Sequence, residues 1–139
     1  MAARFFLDTN ILIYSFDPDE PSKRAISRKL VDRALSGNGL ISYQVVQECL
    51  HLMLRKFKKR LQPDDAQLLL MNILFPLCRV MPSEALYSEA ISIGEHTGWT
   101  FYDSLIVSAA ISANCDVLFT EDLQDGRTYR GLKICNPFA

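Results

Sequence analysis

The hydrophobic and polar positions along the chain alternate between short apolar runs and longer stretches of helical period. Phe5-Phe6-Leu7 is too short for a helix and reads as a fully buried strand. It stops at Asp8, and Thr9-Asn10 opens a helix through Ile11, Leu12, Ile13 and Tyr14. Pro18 and Pro21 mark a loop, and Pro21 or Ser22 starts the next helix. Ile26, Leu30, Val31 and Leu35 are its expected inner stripe, and Gly37-Asn38-Gly39 ends it. Leu40-Ile41 is a second buried strand with Ser42 as the following N-cap. A helix from about Tyr43 to about Arg60 follows, with Val46, Leu50, Met53, Phe57 and Leu61 inward.

Pro63 opens a further helix from Asp64 to about Phe75, which Pro76 stops. Cys78 to Met81 is a third strand. Pro82-Ser83 begins a helix to His96 with Leu86, Ala90 and Ile93 inside, and Thr97-Gly98 closes it. Trp99, Phe101 and Tyr102 lead into Asp103 and are expected to be core, with base stacking as their functional alternative. The helix after Asp103 is apolar nearly all round, which predicts a central, buried position. Ser104, Ser108 and Ser112 share one small face and predict close approach of another backbone. Asp116 to Thr120 is the fourth strand and Leu132 to Cys135 the fifth. Strands alternating with helices predict an α/β fold, a parallel sheet of about five strands flanked on both faces, in one domain over residues 1–139.

Composition narrows the class without naming a function. At 139 residues, 49% hydrophobic and 22% charged, the chain suits one soluble globular core. No apolar run is long enough to span a bilayer, and no basic, apolar and cleavage-site succession opens the chain, so neither a membrane anchor nor a secretory leader is expected. Cys49, Cys78, Cys115 and Cys135 form no CxxC pair and sit in apolar contexts. They read as thiols of a reducing cytoplasm rather than as disulfides or a zinc site. The net charge of −1 does not predict a polyanion partner. The distribution is more telling, because ten of the fifteen basic residues lie between Lys23 and Arg60. The run Arg55, Lys56, Lys58, Lys59 and Arg60 suits a helix C-terminus, with phosphate attraction as the functional reading.

The candidate chemistry is acidic. Asp8 follows the first strand, Glu48 lies early in the helix after the second, Asp103 starts the buried helix, and Asp122 follows the fourth strand. In a parallel sheet the carboxyl ends of all strands share one edge, so these residues are expected to converge there. Crowded carboxylates repel one another, and a divalent cation relieves them. Oxygen-only ligands select magnesium or manganese, which polarises a phosphate and activates a water. Asp8, Asp103 and Asp122 are the expected ligands, directly or through water, with Glu48 completing the site or acting as base. Thr9, Asn10, Thr120 and Ser104 are small polar neighbours with an equal claim to helix-end or turn roles. Asp8 has the same claim to a simple capping role. His51 stands three residues from Glu48, but a di-iron site needs a second such pair, so a surface histidine is expected.

Phe6-Leu7-Asp8-Thr9-Asn10-Ile11-Leu12, Gln47-Glu48, Tyr102-Asp103-Ser104-Leu105-Ile106 and Leu118 to Gly126 together resemble the PIN-domain family, most of all its VapC-type toxins. The resemblance runs over nearly the whole chain. It implies a Rossmann-like fold and a magnesium- or manganese-dependent endoribonuclease. Asp8, Glu48, Asp103 and Asp122 fall on the family's acidic positions, and Thr9, Asn10 and Thr120 on its polar neighbours. Asp125 is implied for the site or its rim. A homodimer and a small antitoxin that blocks the acidic pocket are implied as partners. Two other readings compete. A phosphatase with Asp8 as nucleophile would normally carry a second aspartate where Asn10 stands. A non-catalytic RNA- or protein-binding module would use the acids as caps.

Overall fold

A computed structural model describes residues 3–56 and 60–139. Its centre is a six-stranded sheet in the order β3-β2-β1-β4-β6-β5. The strands are β1 (Phe5–Leu7), β2 (Gly39–Ser42), β3 (Cys78–Val80), β4 (Val117–Phe119), β5 (Thr128–Tyr129) and β6 (Leu132–Cys135). All pairings are parallel except β5 with β6, a hairpin edge. The five expected strands are present. The sixth, β5, has only two residues and no apolar run to announce it.

The chain builds β1, β2 and β3 toward one edge, then crosses back to place β4 on the other side of β1. The strand order therefore reverses between β1 and β4. That reversal opens a crevice at the carboxyl ends of the two strands, where open α/β sheets bind ligands. The Asp8 amide continues the ladder by donating to the Phe119 carbonyl at 3.0 Å, so the residues just past β1 and β4 are held side by side.

The helices are α1 (Thr9–Tyr14), α2 (Pro21–Arg33), α3 (Tyr43–His51), α4 (Pro63–Leu69), α5 (Phe75–Leu77), α6 (Glu84–Thr97) and α7 (Phe101–Ser112). Wider π-type turns extend α2 over Ala34–Asn38, α3 over Leu52–Lys56 and α4 over Leu70–Leu74. The helix expected to run on to Arg60 thus loses regular form after His51, and Phe57, Lys58 and Lys59 of its expected stripe and basic run lie outside the described residues. Pro76 does not stop the fourth helix as expected. It sits in the first turn of α5, where its missing N–H costs nothing, and the helix ends after Leu77.

Two inner stripes are displaced from the expected positions. In α2 the buried residues are Ser27, Leu30 and Val31, followed by Ala34, while Ile26 and Leu35 are exposed. In α3 they are Gln44, Val45 and Cys49, followed by Met53, while Val46 and Leu50 are half-buried. Leu86, Ala90 and Ile93 of α6 are buried as expected.

α7 is the buried central helix, with every residue from Ser104 to Ala110 inside. The serine face explains how closely it meets α6. The Ser108 hydroxyl donates to the Leu86 carbonyl at 2.9 Å, and a Cβ built on Gly94 would stand 3.2 Å from Ser104 Oγ. Ser112, at the exposed end, takes no part and donates to its own helix at Ala109.

Gly39 shows a tighter contact, where β2 passes β1. A Cβ there would lie 2.4 Å from Ala34 Cβ, 2.6 Å from Ala34 Cα and 2.6 Å from Phe5 Cε2. Neither the Ala34 backbone nor the buried Phe5 ring can withdraw freely. Gly39→Ala is therefore expected to cost about 1–3 kcal/mol by overpacking. Urea unfolding would read this as a lower midpoint at unchanged slope, and an unchanged midpoint would refute it.

Candidate active site

The site is built upward from Asp8. Its side chain caps α1, with Oδ1 accepting from the Thr9 amide at 2.7 Å, so the capping role expected of it is real. Oδ2 accepts from the Thr120 hydroxyl, also at 2.7 Å. The same Thr120 oxygen accepts from the Asp122 amide at 3.1 Å. Thr120 is wholly buried and ties the end of β1 to the turn after β4. From the other side, the Thr9 hydroxyl donates to Glu48 Oε1 at 3.1 Å, which fixes α3 against α1. Three chain segments are thus joined by side-chain hydrogen bonds through two threonines.

All four acids line one cleft of about 300 Å³, together with Thr9 and Asn10. Thr120 acts from beneath, through Asp8 and Asp122. Asp125 lies apart, where its Oδ1 accepts from the Asn136 amide at 2.8 Å and holds the turn after β6. His51 is exposed, and Ser104 packs into the α6–α7 contact.

The electrostatics reflect crowding. Burial pushes the Asp8 carboxyl up to about 7, with the charges of Asp122 and Glu48 adding to the rise and the hydrogen bonds from Thr120 and Thr9 opposing it. Glu48 is raised by burial and by Asp103 and Asp122, and opposed by Thr9 and Gln44. Asp122 is raised by burial and by Asp103 and Glu121. The Asn10 side chain opposes that rise, and its buried Nδ2 and Oδ1 have no hydrogen-bond partner of good geometry.

Glu121, next in the chain to Asp122, behaves differently. It accepts from Tyr14 Oη at 2.7 Å and pairs with Lys23 at 2.5 Å. Burial works against its charge, but Lys23 and Tyr14 outweigh it and hold the carboxyl below its usual value. Glu121 is thereby paired outside the cleft lining, while its neighbour Asp122 lines the cleft.

The donor set is entirely oxygen, which suits a hard divalent cation. A buried carboxyl that resists ionisation, beside three others, is a site whose charge a cation would relieve. Among the described residues no group of three or more His, Cys, Asp or Glu side chains is already drawn together tightly enough to hold an ion. The carboxylates face a common space rather than forming a closed cage.

Three lining residues were not singled out as polar or charged candidates in the sequence. Gln44 stands one turn before Glu48 on α3, a spacing that would have put it on the same face. Tyr14 follows the apolar run of α1 and reads as core. Tyr102, expected in the core, is instead 67% exposed on the cleft, and Phe101 is 42% exposed. Trp99 alone of the three packs against the core.

A mostly parallel sheet with carboxylates gathered at its topological switch point defines an α/β domain with an acidic, oxygen-lined cleft. The sequence profile of the PIN domain matches residues 5–129, and the chain belongs to that family. No curated protein sequence matches it significantly. Among solved structures it is similar to a toxin–antitoxin complex from Klebsiella pneumoniae, at a TM-score of 0.69 and 19% identity over 95% of this chain and 96% of that one. It is also similar to VapBC2 from Rickettsia felis bound to a promoter DNA fragment, at 0.64 and 24% over 94% and 96%. FitAcB from Neisseria gonorrhoeae gives 0.64 and 18% over 96% and 98%. The resemblance to PIN domains, VapC-type toxins foremost, is borne out at the level of fold. No helix among the described residues is long and apolar enough to cross a membrane.

Proposed function

We propose that the protein is a magnesium- or manganese-dependent endoribonuclease that hydrolyses RNA phosphodiester bonds, the toxin of a type II toxin–antitoxin pair. The observation that carries this reading is the convergence of Asp8, Glu48, Asp103 and Asp122 on a cleft whose lining, among the described residues, includes no lysine or arginine. Such a cleft repels a phosphate by itself. It accepts one only when the carboxylates share a cation, and Asp8, Asp103 and Asp122 are the residues that would hold it. When bound, the cation would polarise the scissile phosphate and lower the pKa of an attacking water.

The chain's own residues supply the rest. Thr9 and Thr120 each occupy one lone pair of Asp8, so the carboxylate enters the cleft in a fixed orientation. Glu48, oriented by the Thr9 hydroxyl and raised by burial, is suited to take the proton of the attacking water. Thr120 sets the Asp122 turn in the same way.

For partners, the toxin–antitoxin pairing of the Klebsiella structure is extended to this chain as a small antitoxin that covers the cleft, and a homodimer is proposed beside it. Leu68, Met71 and Phe75 support a partner surface, since they are 56%, 66% and 71% exposed on the α4–α5 segment. An RNA substrate and four free thiols fit a cytoplasmic protein.

The test is cleavage of a mixed RNA pool by protein freed of any co-purified antitoxin. Cutting is expected with magnesium or manganese, none with chelator, and none by Asp103→Asn. Intact RNA after incubation of folded wild type with both metals would overturn the nuclease and favour a non-catalytic binding module.

A further inference from the structure

We infer that the cleft also holds a nucleobase, stacked on the Tyr102 ring beside the scissile phosphate. This rests on the nuclease reading above. Ile13, Tyr14, Leu52, Tyr102 and Ile106 line the cleft along with the acids. A site for a cation and a phosphate alone has use for oxygens and amides, not for carbon walls. Of the parts of an RNA strand, only the base presents a flat apolar face to such walls.

Tyr102 is the ring left open to receive it. Tyr14 is already covered, with Lys23 Nζ 4.6 Å from its centroid and Phe138 edge-on at 5.2 Å. Trp99 is covered by the Arg127 guanidinium at 4.6 Å and by Tyr129 at 5.7 Å. Tyr102 meets only the neighbouring Phe101 ring, edge to face at 5.7 Å, among the described aromatic contacts. Its backbone is fixed in place, because Gln44 Nε2 donates to the Tyr102 carbonyl at 3.3 Å.

Gln44 gives an independent sign of a ligand. It is 4% exposed and lines the cleft, yet its Oε1 has no hydrogen-bond partner. A buried acceptor in the same cleft as the open ring would be satisfied by an N–H on the edge of a base. A base in a duplex has both faces stacked and its edge paired, so only a single strand or an unstacked loop can use the subsite.

The test compares wild type, Tyr102→Ala and Tyr102→Phe on a short single-stranded RNA, with and without an abasic nucleotide next to the cut. Tyr102→Ala is expected to raise KM roughly 5- to 100-fold with kcat little changed, and Tyr102→Phe to stay within about twofold. The abasic substrate should cost the wild type a similar factor and Tyr102→Ala almost nothing further. If wild type cuts but Tyr102→Ala keeps its KM and both proteins suffer equally from the abasic site, the subsite is overturned and the nuclease stands. If wild type cuts nothing, direct binding of the same RNA decides. Weaker binding by Tyr102→Ala then keeps the subsite and rejects the nuclease, and equal binding rejects both.

Discussion

Asp8→Asn is expected to lower RNA cleavage roughly a thousandfold or more, the loss of several kcal/mol of transition-state stabilisation. The same variant is expected to raise the thermal stability of metal-free protein above pH 7. The two effects have one cause. Asp8 is 6% exposed, its carboxyl is pushed up to about 7 by burial, and Asp122 and Glu48 oppose its ionisation. Folding therefore carries a charge that the isolated chain would rather protonate or hydrate. Asparagine keeps the size and one acceptor for the Thr9 amide. Its NH2 can donate to Thr120 Oγ in place of the bond that Thr120 now donates to Asp8, at the cost of the acceptor for the Thr120 proton. The variant thus loses the negative charge with little loss of packing. The gain is on the order of a few kcal/mol at most, because two hydrogen bonds to a charged acceptor weaken. RNA cleavage and thermal unfolding in chelator at pH 8 check the two halves. Near-normal cleavage would remove Asp8 from the mechanism, and a lower melting temperature than wild type would mean that capping outweighs the charge.

The opposing effects show why Asp8 was legible in the sequence and several of its partners were not. An acid immediately after a buried strand is a local pattern, and a parallel sheet then brings such ends together whatever the details of packing. Asp8, Glu48, Asp103 and Asp122 need only that rule, and they share the cleft. Thr120 is equally local, two residues before Asp122. Tyr102 and Tyr14 depend on which face of a short helix meets the crevice, and aromatic character alone favours the core. The stripes of α2 and α3 turned on the same weakness. Ser27 and Cys49 are buried where Ile26 and Leu50 had the stronger hydrophobic claim, because packing against neighbouring elements (α1 for α2; α1, β2 and β3 for α3) rather than hydropathy sets the rotation. β5 escapes because two residues pair only through the turn at Arg130 and Gly131, both with positive φ. Glu121 carries the opposite lesson: composition groups it with Asp122 and Asp125, but Lys23, 98 residues away in sequence, removes it from the acidic set.

Stability should fall as pH rises when no divalent metal is present, and added magnesium should restore it increasingly toward pH 8. The direction follows from Asp8. Its carboxyl ionises near 3.8 in the unfolded chain and near 7 in the fold. The folded state then binds more protons between those values, so the contribution is fully present below about 3.8 and is lost as pH rises through about 7. Glu48 and Asp122 are raised as well and add to the same trend. The loss from Asp8 is on the order of a few kcal/mol, or roughly 10 °C in melting temperature. Glu121 works in the other direction, but its lowered carboxyl loses its contribution only as pH falls below its ordinary value of 4.5, outside this window. A cation bound by the ionised carboxylates stabilises only the fold, and its apparent affinity rises as protons leave. Thermal unfolding from pH 5 to pH 8, in chelator and in millimolar magnesium, should therefore give two curves that diverge with pH. Curves separated by the same interval throughout would mean that magnesium binds without displacing a proton. Chelated protein that gains stability from pH 5 to pH 8 would mean that the buried Asp8 carboxyl is not resisting its charge.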